Sequence, residues 1–223
     1  MQMGGLMGGF YRVSEWIMRL AYVNLLWILF TTIGLFFFGF MPASIAMFTI
    51  LRKWILGEFD IPVFKTFFGT FKTEFIKGNI FGLVILIIGY ILYIDLQYLS
   101  LVEGTLHTVL LAVLFLAGIL YLTFTFYIIP VYVHYDLKLK EYFKFAILIG
   151  ITNFHITILM AVGIAALYYI FMRVPGLIPF FSVSVTGLYI MWLGNLAFRT
   201  LVSKKEKYEQ KQKEKAENAS TNE

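Results

Sequence analysis

The sequence predicts an all-α integral membrane protein, a polytopic bundle of about six transmembrane helices with five spans as the alternative count. Two properties of the composition indicate lipid as the solvent, since 60% of the 223 residues are hydrophobic and only 14% are charged. A water-soluble domain of this size could not keep so much apolar surface away from water. The third observation is the spacing of the apolar segments, because a bilayer core about 30 Å thick requires about 20 apolar residues per helical span.

The apolar segments divide the chain into an N-terminal segment (1–19), a transmembrane domain (20–198) and a polar C-terminal segment (199–223). The second apolar segment is short before Arg52 and Lys53, and we expect these cations to extend toward the membrane surface. Gly39 and Pro42 separate the first two segments and predict a tight turn there. The predicted spans are 20–38, 42–56, 79–99, 106–133, 143–171 and 177–198.

The positions of lysine and arginine predict which side of the membrane each loop occupies, because positive charge concentrates on the cytoplasmic side. With six spans, every lysine and arginine except Arg173 lies on that side, together with both chain ends. With five spans, Arg12 and Arg19 move to the outer side as well. The charge pattern therefore favours six spans with cytoplasmic N- and C-termini in a cell membrane.

The loop between the second and third spans has the pattern of an amphipathic helix over 62–77, with Asp60 and Pro62 as start signals. Lys65 and Lys72 fall on its polar face. A helix of this kind suits the cytoplasmic membrane interface. The pattern leaves two uses open, packing on the protein's own bundle or docking of a partner. The phenylalanines that recur at helical spacing, and that we expect to be buried, are Phe64, Phe67, Phe68, Phe71 and Phe75.

The C-terminal segment changes to lysine, glutamate, glutamine and asparagine, with Tyr208 as its single aromatic residue. A segment without an apolar stripe cannot bury enough surface to order itself against the bundle. The sequence therefore predicts that 199–223 is a disordered charged tail on the cytoplasmic side.

Polar residues inside the spans are candidates either for helix packing or for lining a polar path. Asp95 is the strongest of these candidates because a carboxylate within a span is costly and often functional. It lies about one turn from the outer end of its segment, where a position in the aromatic belt is the other explanation. The residues that would line such a path are Asp95, Asn24, Asn153 and Asn195.

Catalysis and metal binding require polar groups that converge, and the sequence offers few. It contains no cysteine. The predicted topology puts His107 near the outer face but His134 and His155 near the inner face, which excludes a three-histidine metal site. Phosphate-binding, hydrolase and zinc-protease motifs are absent from the sequence. We therefore expect a protein without enzymatic activity or cofactor, and the lysines that flank spans do not indicate nucleic-acid binding.

Several motifs in the N-terminal part resemble the YesL-type family of bacterial membrane proteins, a family without an established biochemical function. The motifs are Asn24-Leu25-Leu26-Trp27, Gly39-Phe40-Met41-Pro42-Ala43, Arg52-Lys53-Trp54 and the run 60–67. Beyond Asn79 the likeness is to a hydrophobic profile. The resemblance implies a bacterial cell-membrane protein, often encoded near sugar-binding proteins and permeases for the uptake of complex carbohydrates. It supplies no catalytic residues.

Two functions follow as hypotheses. The first is an accessory or regulatory protein for carbohydrate import of the ABC type, with permease subunits as partners in the bilayer. The second is a small transporter or channel that uses the polar residues of its own spans. A homo-oligomer is compatible with either hypothesis.

Overall fold

The computed structural model describes residues 6–221, and within this range it is helical and contains no strand. A 3-10 turn, Pro175–Leu177, precedes the last helix. The eight α-helices are α1 (Leu6–Ile33), α2 (Phe37–Ile55), α3 (Val63–Thr73), α4 (Phe75–Leu99), α5 (Gly104–His134), α6 (Leu139–Thr152), α7 (Phe154–Arg173) and α8 (Ile178–Thr221).

Five of these helices are long and apolar enough to cross a membrane: α1, α4, α5, α7 and the part of α8 up to Leu201. This confirms the predicted fold class, a helical membrane bundle. The predicted second span corresponds to α2, which lies outside this group because Arg52 and Lys53 lower its mean hydropathy. Its 19 residues extend about 28 Å at 1.5 Å per residue, close to the thickness of a bilayer core.

Helix α2 lies at the centre of the bundle, in contact with α1, α3, α4, α5 and α8. Small residues mark where its neighbours approach, since a Cβ added to Gly78 of α4 would meet Ile45 at 3.0 Å and one added to Gly187 of α8 would meet Met47 at 2.9 Å. The core of the protein is therefore built around this one helix. Its buried residues are Gly39, Met41, Pro42, Ala43, Ser44, Ile45, Ala46, Met47, Phe48, Ile50, Leu51 and Trp54.

The turn between α1 and α2 lies earlier than predicted, at Gly34–Phe36 instead of between Gly39 and Pro42. Gly39 is part of α2, where a Cβ would meet the carbonyl oxygen of Thr31 at 2.5 Å. The glycine thus permits close contact between the two helices and does not form the turn. Leu35 and Phe36 form it instead, each with a φ of 58°, a conformation that costs energy for residues other than glycine.

Pro42 can lie inside α2 because a side chain of a neighbouring helix replaces the backbone hydrogen bond that the proline removes. Proline has no N–H, so the carbonyl of Phe38, four residues earlier, loses its helical partner. The side-chain amide of Asn79 on α4 donates to this carbonyl at 2.9 Å. The same amide also donates to the carbonyl of Phe75 at 2.7 Å. Pro42 and Asn79 together therefore join α2 to α4.

The predicted helix 62–77 is divided into two parts. Helix α3 ends at Thr73, and Phe75 already belongs to α4. Glu74, with φ −97° and ψ 9°, is the joint between them. The hydroxyl of Thr73 donates to the carbonyl of Thr70, and such local side-chain bonds compete with the helical ladder.

The predicted fifth span, 143–171, is also not one helix, since α6 ends at Thr152 and α7 begins at Phe154. Asn153 adopts φ −120° and ψ 46° at the break. The side chains of Thr152 and Asn153 both bond to the carbonyl of Ile149, at 3.1 Å and 3.0 Å. These contacts end the backbone ladder of α6.

Both predicted terminal segments are more helical than the sequence indicated. Helix α1 begins at Leu6, inside the segment 1–19, while residues 1–5 lie outside the described part. Helix α8 continues to Thr221, so the prediction of disorder for 199–223 differs from the structure over most of that segment. Lysine, glutamate, glutamine and alanine all have high helix propensity, and neither glycine nor proline occurs after Gly194 to end the helix.

Candidate interaction site at helix α3

Helix α3 is anchored through an aromatic cluster centred on Phe30 of α1. The ring centroid of Phe30 lies 5.1 Å from that of Phe67 and 5.1 Å from that of Phe71. Phe67 is fully buried and Phe71 is 8% exposed. Aromatic pairs at such distances stabilise beyond their buried area. The spacing of the phenylalanines therefore predicted the anchoring face correctly for these two residues.

The prediction that all five phenylalanines are buried was wrong for the others. Phe64 and Phe68 approach Phe30 with centroids at 6.1 Å and 5.9 Å, but they lie at the edge of the cluster and are 52% and 50% exposed. Phe75 is half-buried and belongs to α4, where its ring contacts Phe71. A short helix has room for only one pair of side chains directly against Phe30, which leaves the flanking rings open to lipid or to a partner.

The polar face of α3 points away from the bundle. Lys65 and Lys72 are both exposed, as predicted from their positions on the helix. Beside Lys72 lies a shallow groove of about 360 Å³ that Phe68, Phe71 and Phe75 help to line. Helix α3 thus presents two cations next to exposed aromatic surface, while its fixed side holds it to α1 and α2.

The joint between α3 and α4 is tied to α5. The hydroxyl of Tyr132 donates a short hydrogen bond to the carboxylate of Glu74. The Tyr132 ring also contacts Phe81 of α4 and Tyr142 of α6, at centroid distances of 5.0 Å and 4.8 Å. Sequence reasoning missed this link, because the residues are 58 positions apart and no local pattern connects them.

Among the predicted lining residues, Asn24 joins two helices. Its side-chain amide donates to the carbonyl of Pro179 at 2.8 Å, and its oxygen accepts from the backbone N–H groups of Val183 and Ser184 at 3.0 Å and 2.9 Å. In a regular helix the N–H of Val183 would bond to Pro179 itself. Asn24 therefore inserts into the backbone ladder of α8, and every polar atom of its side chain serves helix packing.

The other three candidates lie elsewhere in the fold. Asn153 is buried at the break between α6 and α7, and Asn195 is buried on α8. Asp95 is exposed near the end of α4, a helix that does not pack on α1 or α8. The structure therefore does not bring Asp95 into a common cavity with the three asparagines.

A polar contact that the sequence did not reveal joins α2 to α5. The guanidinium Nε of Arg52 donates to His134 Nδ1 at 3.3 Å, and both side chains are half-buried. The His134 ring also packs against Phe198 of α8, with centroids 4.6 Å apart. Arg52 thus contributes to the assembly of three helices. Within residues 6–221, no three histidine, aspartate or glutamate side chains come close enough to hold a metal ion.

Comparison with known proteins identifies relatives along most of the chain. A family model described as "Protein of unknown function, DUF624" matches residues 20–96, from within α1 to near the end of α4. YteU of Bacillus subtilis (strain 168) is 42% identical over 185 residues, 83% of each chain. YesV and YesL of the same organism are each 35% identical, over 85% and 89% of this chain and 91% and 94% of their own lengths. All three are described as uncharacterized, and no solved structure matches the chain.

Proposed function

Because this chain belongs to the YesL-type family, together with YteU, YesV and YesL, we propose that it acts in a bacterial cell membrane as a non-enzymatic accessory or regulatory protein for carbohydrate uptake by ABC-type importers. Its partners in this proposal are the sugar permease subunits. Five helices suited to crossing a membrane support the location in a bilayer.

The proposed orientation places both chain ends and helix α3 in or next to the cytoplasm. It requires α2 to cross the membrane as a sixth span, with Arg52 and Lys53 at its cytoplasmic end. The close pairing of α1 and α2 around Gly39 supports two antiparallel crossings joined by the turn at Gly34–Phe36. The excess of lysine and arginine in the loops on one side supports the direction.

Helix α3 is the proposed contact surface for the permease. The observation that carries this proposal is the separation of its two faces, since buried Phe67 and Phe71 fix the helix and Lys65 and Lys72 remain exposed. A partner can therefore bind the polar face without disturbing the core. The half-exposed rings of Phe64 and Phe68 would supply apolar contact area beside the two charges.

Charge reversal on this face tests the proposal. We expect Lys65→Glu combined with Lys72→Glu to accumulate normally in the membrane and to reduce the co-purification of sugar permease subunits from native membranes about tenfold. The matched control combines Lys77→Glu with Lys140→Glu, which reverses the same number of exposed charges outside α3. If the α3 variant retains as much permease as the wild-type protein, the assignment of this surface is contradicted. If the wild-type protein itself purifies without permease subunits, the proposed function is contradicted.

The alternative function, a transporter or channel in its own right, lacks a supporting site in the described part of the chain. Asn24 is engaged in helix packing, and Asp95 lies apart from the buried asparagines. Solute flux through liposomes that contain only the purified protein would favour this alternative over the accessory role.

A further inference from the structure

Tryptophan residues concentrate at one groove of about 540 Å³ between α1, the end of α2 and α8. Three of the four tryptophans in the chain line it. A volume of this size is typical of sites that bind small molecules. The lining residues are Trp16, Trp54, Ile55, Phe59, Val185, Leu188, Tyr189 and Trp192.

One wall of the groove contains a hydrogen-bond donor without an acceptor. Trp54 is 1% exposed, and its indole Nε1 has no partner among the described residues. Trp27, in contrast, donates through its indole nitrogen to Ser44 at 3.0 Å. A buried donor without an acceptor costs about 1–3 kcal/mol, and because this nitrogen is itself shielded from the groove, a ligand reaches it only if the wall moves.

Arg19 lies over two of the aromatic residues that line the groove. The guanidinium of Arg19 is 5.7 Å from the Trp54 ring centroid and 5.2 Å from that of Phe59. It pairs with Glu15 at 2.5 Å and also donates to the carbonyl of Phe59 at 3.3 Å. Arg12 is exposed one turn before Trp16, on the same face of α1 as Trp16 and Arg19. Since the carboxylate of Glu15 offsets one of the two arginines, Arg12 supplies the remaining positive charge.

We propose that this groove binds an anionic phospholipid, with an acyl chain along the apolar wall of α8 and the phosphate at Arg12 and Arg19. The apolar walls fit a hydrocarbon chain, while indole rings suit the boundary between hydrocarbon and headgroup because they combine apolar area with a polar N–H. The arginines add attraction for a negative headgroup. The occupant is thus a lipid with a charged phosphate head, and the inference does not depend on the permease proposed above.

Tryptophan fluorescence of the full-length protein in detergent tests the proposal, because three of its four emitters line the site. The probe is phosphatidylglycerol with brominated acyl chains, which quench nearby indoles. Phosphatidylcholine with the same chains is the comparison. We expect saturable quenching with an apparent affinity at least threefold higher for phosphatidylglycerol. Equal affinity for the two lipids would overturn the proposal.

Two variants separate the charge of the site from its shape. Arg12→Gln should remove the preference for phosphatidylglycerol, whereas Arg173→Gln, a control near the end of α7, should retain it. Leu188→Phe should weaken the binding of both lipids by filling the groove, and the control Leu86→Phe fills a different groove, beside α4. Native mass spectrometry of the same proteins counts the retained lipids and verifies that each variant is folded.

Unchanged lipid preference in Arg12→Gln would overturn the proposed headgroup position. Release of the brominated lipid by inorganic phosphate at millimolar concentration would show that a free anion, and not a lipid, is the ligand. A dimer in the mass spectrum together with no quenching would show that a second copy of the chain covers the groove.

Discussion

Helix α2 and the α4–α5 pair differ in a way that reverses the usual relation between hydropathy and burial. Helices α4 and α5 are the most apolar of the candidate spans and also the least buried, and in α4 only Gly78, Phe81 and Leu99 are buried. Helix α2 contains proline, serine, arginine and lysine, yet it forms the centre of the core. In lipid, an apolar side chain gains little by leaving the membrane for the protein interior. Packing is instead marked by small residues and by polar groups that bond between helices.

The largest expected effect comes from closing the space between α1 and α2. Gly39→Val places side-chain atoms where even a Cβ would meet the carbonyl oxygen of Thr31 at 2.5 Å. We expect a loss of stability above about 4 kcal/mol, so that little folded protein is recovered from membranes. Gly118→Ala on α5 is the control, since a Cβ there meets nothing within 4 Å, and we expect it to be neutral or slightly stabilising. A normal yield and melting temperature for Gly39→Val would show that α1 and α2 do not approach each other this closely at Gly39.

Shortening one side chain in α2 and one in α5 to alanine compares the buried helix with the exposed helix more directly. Ile50 of α2 is fully buried, and Ile50→Ala should cost about 3 kcal/mol because it leaves a cavity. Leu111 of α5 is 46% exposed, and Leu111→Ala should cost less than about 1 kcal/mol. Thermal unfolding in a single detergent, followed by circular dichroism, compares the two variants. Equal losses would show that α2 is not the centre of the core in the folded protein.

The smallest of the three effects comes from making a helix more apolar. Asn24→Leu raises the hydropathy of α1 but leaves the backbone groups of Pro179, Val183 and Ser184 without their side-chain partner. We expect a loss of about 2 kcal/mol and faster hydrogen exchange at Val183 and Ser184. Thr108→Leu, at an exposed position of α5, is the matched control and should change neither property. Increased stability of Asn24→Leu would mean that hydropathy, and not the interhelical bonds, governs this contact.

The sequence was informative wherever a local pattern determines the structure. The apolar segments predicted the positions of the candidate spans α1, α4, α5 and α8, and the phenylalanine spacing predicted that Phe67 and Phe71 anchor α3. Where a helix continues or breaks was harder to predict, because it depends on contacts from elsewhere in the chain or on competition between a side chain and the backbone. Pro42 continues a helix only because Asn79 accommodates it, and the break at Asn153 depends on how its side chain competes with the backbone.

Contacts between distant residues could not be predicted at all. Arg52 meets His134 across 82 positions, and Glu74 meets Tyr132 across 58. Taken alone, Arg52 is a cation at a helix end and Tyr132 is an aromatic ring near the membrane surface. Neither position indicates its distant partner. The burial of Phe67 and Phe71 and the exposure of Lys65 and Lys72 were therefore predicted. The groove lined by tryptophans was not, because its residues come from three separate parts of the sequence.

The central position of α2 has a consequence for the timing of biosynthesis. Helix α8 begins at Ile178 and packs on α2 through Gly187, so the core remains incomplete until translation nears its end. At an elongation rate of about 5–20 residues per second, the ribosome needs roughly ten seconds to travel from the end of α2 to the start of α8. During this interval the surface of α2 that will later contact Gly187 is open to lipid and to other nascent helices. A chain truncated before α8 would expose this surface permanently, and we expect membrane proteases to degrade such a chain.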